Sequence, residues 1–119
     1  MEPAHGIPTT AELAEAVREF LSEQVMPATE GRLSFHARVA ANVVAQIERE
    51  LTLGPGFAAA HATRLEQLGF ADDTELCAAI RSGDFDSGLD ELLATLRPSA
   101  IERLLICNPR HLLPEDRPT

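Results

Sequence analysis

The stretch Phe35-His36-Ala37-Arg38-Val39-Ala40-Ala41-Asn42 decides the fold class of this chain, because its apolar residues recur at helical spacing. At about 100° per residue, a broad apolar face extends along this stretch and beyond it. The members of that face are Phe35, His36, Val39, Ala40, Val43, Ile47 and Leu51. The pattern predicts an amphipathic helix from about Leu33 to Leu53, with this face turned toward a core.

Proline and glycine divide the chain on either side of this helix. Thr9 and Glu12 form a capping box that opens a first helix, and Pro27 ends it. Gly54-Pro55 predicts the end of the second helix. A third helix is predicted from about Gly56 to Leu68, with Gly69 in the left-handed conformation at its end.

The C-terminal half continues in the same way. Asp72 and Glu75 give a second capping signal, for a short helix that Gly83 terminates. A last helix starts near Ser87, and its apolar periodicity continues past Pro98, which predicts a kink or two nearly coaxial helices. No stretch alternates with the period of a strand.

The sequence therefore predicts an all-α bundle of about five helices, mostly antiparallel, with the last helix kinked or broken near Pro98. We expect an N-terminal arm at residues 1–8, a single helical domain at 9–111 and a flexible tail at 112–119. A chain of 119 residues is long enough to bury a core of its own.

Composition excludes several classes of function. The net charge is −9, with 10 basic and 19 acidic residues, which argues against nucleic acid and anionic membranes as partners. All ten basic residues are arginine, so no phosphate-binding loop with a lysine exists. Apolar runs reach only five residues, too few for a membrane span. Two isolated cysteines, Cys77 and Cys107, indicate a cytoplasmic protein with reduced thiols.

Three residues of the second helix are candidates for binding: His36, Arg38 and Asn42. His36 lies in the apolar face, where it is interpreted either as a core residue or as a general base whose pKa burial tunes. Arg38 and Asn42 lie one turn apart on the polar flank, either as a solvated edge or as donors for an anion or a partner backbone. No catalytic residue, metal site or cofactor is predicted.

Two features of the C-terminal region point to partners. Asn108-Pro109-Arg110 ends the last helix, and Asn108 and Arg110 are candidate contacts for a docking partner. Apolar residues point in several directions around the last helix between Ile101 and Ile106. We therefore expect a homodimer to which this helix contributes.

Several of these motifs resemble a small bacterial family of unknown function. The resemblance rests on Gly6-Ile7-Pro8-Thr9, the Glu30-Gly31-Arg32 turn, the Phe35–Asn42 stretch and Asn108-Pro109-Arg110. Members of that family are encoded beside, or fused with, kinases of the aminoglycoside-phosphotransferase type, near acyl-CoA dehydrogenases. The resemblance implies such a kinase as a partner and transfers no catalytic residue.

The predicted function is a non-catalytic accessory or interaction domain, associated with a phosphotransferase-like small-molecule kinase in acyl-CoA or hydroxy-acid metabolism. The absence of a nucleophile–base pair and the few aromatic residues favour this interpretation over an enzyme. The alternative is a small ligand-binding domain or enzyme with a cleft formed by His36, Arg38 and Asn42.

Overall fold

The computed structural model describes residues 8–118, which form an all-α protein; no strand occurs in that range. The helices, in chain order, are α1 (Thr10–Glu19), a π-helical segment (Phe20–Val25), α2 (Gly31–Leu68), α3 (Asp73–Arg81) and α4 (Leu89–Cys107). Two 3-10 turns follow, at Pro109–His111 and Pro114–Asp116. The prediction of an all-α fold is confirmed.

The capping box at the start of α1 is confirmed. Thr9 Oγ1 accepts a hydrogen bond from the Glu12 amide, and the Thr9 amide donates to Glu12 Oε1 at 3.0 Å. The helix continues as a π-helix and ends before Pro27. The Thr29 hydroxyl then donates to the Val25 carbonyl at 2.7 Å, which satisfies one of the carbonyls left open there.

The predicted break at Gly54-Pro55 is wrong, and α2 is assigned as helix through both residues. The described residues therefore hold four α-helices instead of about five. Proline removes one backbone hydrogen bond, but its own φ near about −65° is a helical value, so a single proline need not stop a helix. Pro98 lies in the same way inside a continuous α4, so of the two predicted alternatives, a kinked helix or two nearly coaxial helices, the second is wrong.

Two glycines end helices as predicted. Gly69 and Gly83 adopt φ values of +92° and +85°, which side chains with a Cβ rarely adopt. At the end of α2, the Phe70 amide donates to the Leu65 carbonyl and the Gly69 amide to the Glu66 carbonyl. The hydrogen bonds around Gly83 follow the same Schellman pattern.

The described residues form two compact units. The N-terminal unit extends to Leu53 and contains α1, the π-helix and the first part of α2. The C-terminal unit begins at Gly54 and has a core of Leu65, Leu76 and Leu92, each no more than 4% exposed. Around that core pack the partly buried residues Leu68, Phe70, Phe85 and Leu96.

Several residues of the segment predicted as a flexible tail make contacts in the C-terminal unit. Leu112 is buried, and Asp116 forms an ion pair with Arg97 at 2.6 Å. Arg117 Nε donates to the Leu112 carbonyl at 3.1 Å. The arm expected at residues 1–8 lies outside the described residues except for Pro8.

Candidate functional site

A seam of less exposed residues holds the N-terminal unit together. The less exposed positions of α1 and the π-helix include a series spaced alternately by three and four residues: 11, 14, 18, 21 and 25. In α2, the corresponding positions are 34, 37, 41, 44 and 48, and Ala37 and Ala41 are buried. This spacing is typical of two helices packed along their length.

Two contacts show that these helices run antiparallel. The Arg18 guanidinium pairs with the Glu48 carboxylate, 30 residues away, and Ser34 Oγ donates to the Met26 carbonyl, eight residues away. The sequence separation shrinks toward the connecting turn, as in a hairpin. The hydrogen bonds that Arg18 donates to Glu48 raise the pKa of Arg18, which remains a cation.

A second set of apolar residues in the same unit is left exposed, and we call it the apolar face. Its side chains are between 39% and 58% exposed. They are Leu13, Val17, Phe20, Phe35, Val39, Val43, Ile47 and Leu51. The prediction that the α2 members of this face form a core is wrong, because the seam of α2 passes through Ala37 and Ala41.

Helical geometry places the central members of the apolar face on one side of the hairpin. Viewed from the N-terminus of α2, Val43 and Ile47 are rotated by about 100–140° from the seam of that helix. Viewed from the N-terminus of α1, Leu13 and Val17 are rotated by about 80–120° from the seam of α1, in the same rotational sense. When two antiparallel helices pack seam to seam, residues that are rotated away from the two seams by similar angles in the same rotational sense lie on the same side of the helix pair. The acidic residues of α1 are rotated from its seam in the opposite sense and therefore lie on the other side of the hairpin. They are Glu12, Glu15, Glu19 and Glu23.

The candidate residues of α2 are all exposed. The interpretation of His36 as a core residue is therefore wrong; its ring lies edge-on to Phe35, with centroids 5.7 Å apart. Arg38 and Asn42 share a flank, as predicted, and the Arg38 guanidinium carbon lies 5.7 Å from the centroid of Phe35. His36 and Arg38 are about 200° apart around the helix, so they do not line a common cleft.

Asn108 and Arg110 are also exposed, in the C-terminal unit. The Asn108 amide donates to the Leu104 carbonyl at 2.8 Å and so closes α4. The Arg110 carbonyl accepts a hydrogen bond from Arg117 at 3.4 Å. Near them, Ile106 is buried and Ile101, Leu104 and Leu105 are partly buried, so the chain itself covers much of the apolar surface on which the expected dimer rested.

A polar network in the C-terminal unit was missed from the sequence. His61 Nδ1 lies 2.7 Å from Ser99 Oγ, and His61 Nε2 lies 2.7 Å from Asp73 Oδ1. Arg64 donates to Ser99 Oγ at 2.8 Å and to both carboxylate oxygens of Glu102, at 2.7 and 3.0 Å. The sequence signal for this network is a matched spacing of polar residues on two helices. His61 and Arg64 are three residues apart on α2, and Ser99 and Glu102 are three residues apart on α4.

The electrostatics of this network follow from the bidentate ion pair. Hydrogen bonds from Arg64 lower the pKa of Glu102 despite partial desolvation, and the charges of Arg64 and His61 lower it further. The same hydrogen bonds raise the pKa of Arg64. Both side chains are less than 20% exposed.

Asp73, His61 and Ser99 are connected in the order carboxylate, imidazole and hydroxyl, which is the order of a nucleophilic triad. Ser99 lies inside α4, where the neighbouring backbone amides belong to the hydrogen-bond ladder of the helix and do not form an oxyanion hole. Arg64 is neutralised by Glu102. The arrangement therefore joins α2, α3 and α4 and does not resemble a site prepared for acyl transfer.

Other features of residues 8–118 add no site. No group of three or more metal-ligating side chains is found there, and no helix is long and apolar enough to cross a membrane. A cavity of about 440 Å³ lies along one side of α4 and is lined by Leu93, Ala94, Leu96, Arg97 and Ala100. Cys77 is exposed and Cys107 partly buried, and both are free thiols.

The fold and this geometry define an all-α protein whose most prominent feature is an uncovered apolar helix face. The chain belongs to the family described as a domain of unknown function (DUF6285), which matches residues 27–111. The match includes the α2 part of the apolar face and the whole polar network. No curated protein and no solved structure matches the chain.

Proposed function

We propose that this chain is a non-catalytic interaction module that assembles with protein partners through the apolar face of its N-terminal unit. The observation that carries the proposal is the set of eight exposed apolar side chains on one hairpin. Each of these side chains is at least 39% exposed. Monomeric proteins rarely expose contiguous apolar patches larger than about a few hundred Å², and large exposed apolar surface marks an interaction site.

The proposed module has a second surface on the flank of α2. Arg38 and Asn42 present directional donors there, and Phe35 adds apolar area directly beside the Arg38 guanidinium. Arginine binds carboxylates with two parallel hydrogen bonds, so such a flank suits an acidic or backbone partner. On the family resemblance described above, we place a phosphotransferase-like kinase of acyl-CoA or hydroxy-acid metabolism at this flank, in the cytoplasm.

Photochemical crosslinking in the native host tests the proposal directly. A photoreactive benzoylphenylalanine replaces Val43 in the apolar face or Glu66 on the exposed side of α2 in the C-terminal unit. We expect position 43 to yield one dominant adduct, whose mass identifies the protein that covers the apolar face, and position 66 to yield none. No adduct, or equal adducts at both positions, would overturn the interaction module.

Titration calorimetry tests the kinase flank by itself. Arg38→Ala should weaken association with the purified kinase by about 1–3 kcal/mol if the contact is buried. Arg81→Ala, at an exposed arginine of α3, is the matched control and should leave the affinity unchanged. If the wild-type chain shows no heat of binding at high micromolar concentration, the kinase is removed from the proposal and the module remains.

The alternative of a ligand cleft at His36, Arg38 and Asn42 finds no support in the geometry, because His36 and Arg38 point to different sides of α2. We therefore advance no second function.

A further inference from the structure

The middle of α2 contains three consecutive residues that disfavour a helix: Gly54, Pro55 and Gly56. Proline and glycine have the lowest helix propensities of all residues. Pro55 has no amide hydrogen, so the Leu51 carbonyl lacks the hydrogen bond that it would receive from residue 55 in an uninterrupted helix. The two glycines increase the freedom of the backbone on both sides of this missing bond. By intrinsic propensity, this is the weakest part of α2.

Packing adds little support to this part of the helix. Every residue from 51 to 56 is exposed except Gly54, which is partly buried. A Cβ atom added at Gly56 would meet no atom within 4 Å. The Thr52 hydroxyl donates to the Glu48 carbonyl at 3.0 Å within the same helix, and such bonds of threonine often bend a helix. The helical conformation here therefore depends mainly on backbone hydrogen bonds, one of which is missing at Pro55.

Pro98 in α4 provides the contrast, because contacts with other helices support both sides of it. Before the proline, Leu96 packs against the leucine core. After it, Ser99 accepts a hydrogen bond from Arg64 at 2.8 Å, and Glu102 accepts two bonds from the same guanidinium. Neither neighbour of Pro98 is a glycine. The proline of α4 is therefore held by tertiary contacts that the proline of α2 lacks.

We propose that Gly54-Pro55-Gly56 is a hinge, at which α2 opens locally while both compact units stay folded. The boundary between the two units falls between Leu53 and Gly54, directly at this segment. Boundaries of this kind lie where few contacts cross, so little packing is lost when the helix opens there. Hinges are a few residues that absorb a large change in backbone dihedral angles, and glycine does so without a steric penalty.

Opening at the hinge changes the orientation in which the N-terminal unit presents its apolar face. The seam that contains Ala37 and Ala41 lies entirely before the hinge, and the core of Leu65, Leu76 and Leu92 lies entirely after it. Each set of contacts therefore survives the opening. The hinge requires no particular partner for the apolar face, and its tests use the chain alone, so it stands or falls separately from the interaction module.

Hydrogen exchange of single amides, measured by NMR spectroscopy, tests local opening. The amides of residues 56–58 have their helical acceptors at residues 52–54, across Pro55, and the amides of residues 99–101 bridge Pro98 in the same way. After correction for intrinsic rates, we expect the first set to exchange about tenfold faster than the second, or more. Equal protection at the two prolines would overturn the hinge.

The same experiment shows whether the units stay folded during opening. The amide of Ala41 reports on the seam, and the amide of Leu65 reports on the leucine core. Both should remain protected under conditions in which residues 56–58 exchange. If all of these amides exchange at one common rate, the chain opens as a whole and the hinge is wrong.

Substitution tests the cause of the opening. Gly54→Ala/Pro55→Ala/Gly56→Ala restores helix propensity and should slow exchange at residues 57 and 58 by about tenfold or more. Pro55→Ala alone is a milder variant with the same expected direction. Pro98→Ala is the matched control and should leave exchange at these residues unchanged. A triple variant that exchanges at the wild-type rate would contradict the proposal.

Residual dipolar couplings test whether the two units reorient. We expect the amides before and after the hinge to require two different alignment tensors in the wild-type chain. One tensor should fit both units in the triple variant, because its α2 has no residue that favours opening. Circular dichroism checks that the variant keeps its helical content. A wild-type chain that one tensor fits as well as it fits the variant would overturn the hinge.

Discussion

The two units of this molecule use the same helix, α2, in different ways. In the C-terminal unit its leucines, Leu65 and Leu68, enter a core with Leu76 and Leu92. In the N-terminal unit the two buried residues of α2 are alanines, Ala37 and Ala41, and most of its larger apolar side chains remain exposed. One unit buries its large apolar residues, and the other presents them.

This difference has an energetic consequence. A fully buried leucine contributes about 1.5–3 kcal/mol through the hydrophobic effect, while alanine contributes much less. The C-terminal unit therefore has its main stabilising contacts within the chain, and a polar network adds to them. The alanines in the seam of the N-terminal unit let two helices approach closely, but their burial contributes little hydrophobic free energy. Covering the apolar face would therefore give this unit its largest additional stabilisation.

The largest predicted effect tests the leucine core. Leu92→Ala should lower the free energy of unfolding by about 2–5 kcal/mol, because Leu92 is 3% exposed and its removal leaves a cavity. Leu93, the next residue, is 56% exposed, and Leu93→Ala should cost less than about 1 kcal/mol. Urea unfolding followed by circular dichroism measures both. Equal effects of the two substitutions would contradict the assignment of the core.

The second prediction tests the alanine seam. Ala41→Leu should destabilise the chain by about 1–3 kcal/mol, because Ala41 is buried between two closely packed helices and the larger side chain does not fit. Ala16→Leu makes the same change at an exposed position of α1 and should stay within about 0.5 kcal/mol. The midpoint of thermal unfolding reports the comparison. A stabilising Ala41→Leu would mean that the seam is loosely packed.

Much of the fold could be predicted because its signals are local. The N-caps Thr9 and Asp72 and the left-handed glycines at 69 and 83 act within one helical turn, so sequence spacing alone locates them. The course of the chain at Pro55 could not be predicted, since proline is compatible with both a break and a continuous helix. The π-helix after Glu19 likewise has no sequence signal that we recognise.

Burial on α2 was harder to predict than the helix itself. Periodicity identifies an apolar face but does not say whether the same chain covers it, and the wider face here is the exposed one. For that reason the interpretation of His36 as a core residue is wrong, because the face on which it lies is exposed. The network of His61 and Ser99 joins residues 38 positions apart, and such a contact depends on tertiary packing that local spacing does not reveal.

The third prediction concerns the polar network and its pH dependence. Because Arg64 lowers the pKa of Glu102 below its usual value near 4.5, the ion pair stabilises the folded chain above that value. The stabilisation is lost as the pH falls through the lowered pKa of the folded state. Glu102→Gln should therefore cost about 1 kcal/mol at pH 7 and much less in strong acid.

Urea unfolding at pH 7 and at about pH 2.5 measures this difference between wild type and variant. Glu66→Gln, at an exposed glutamate of α2, is the control and should match the wild type at both values. A cost of Glu102→Gln that stays constant with pH would show that the side chain acts through packing and not through its charge.

The smallest predicted effect concerns Gly56, close to the start of the C-terminal unit. Gly56 lies inside α2, and a Cβ atom added there meets nothing within 4 Å. Gly56→Ala should therefore stabilise the chain by about 0.5–1 kcal/mol, because alanine loses less backbone entropy in a helix. Gly83→Ala is the contrasting variant: its φ is +85° and its Cβ would lie 3.0 Å from Asp86 Oδ2, so it should destabilise. Thermal unfolding of the two variants separates these effects. A loss of stability in Gly56→Ala would mean that the helix beside Pro55 requires the freedom of glycine, and the division between the two units would then depend on that residue.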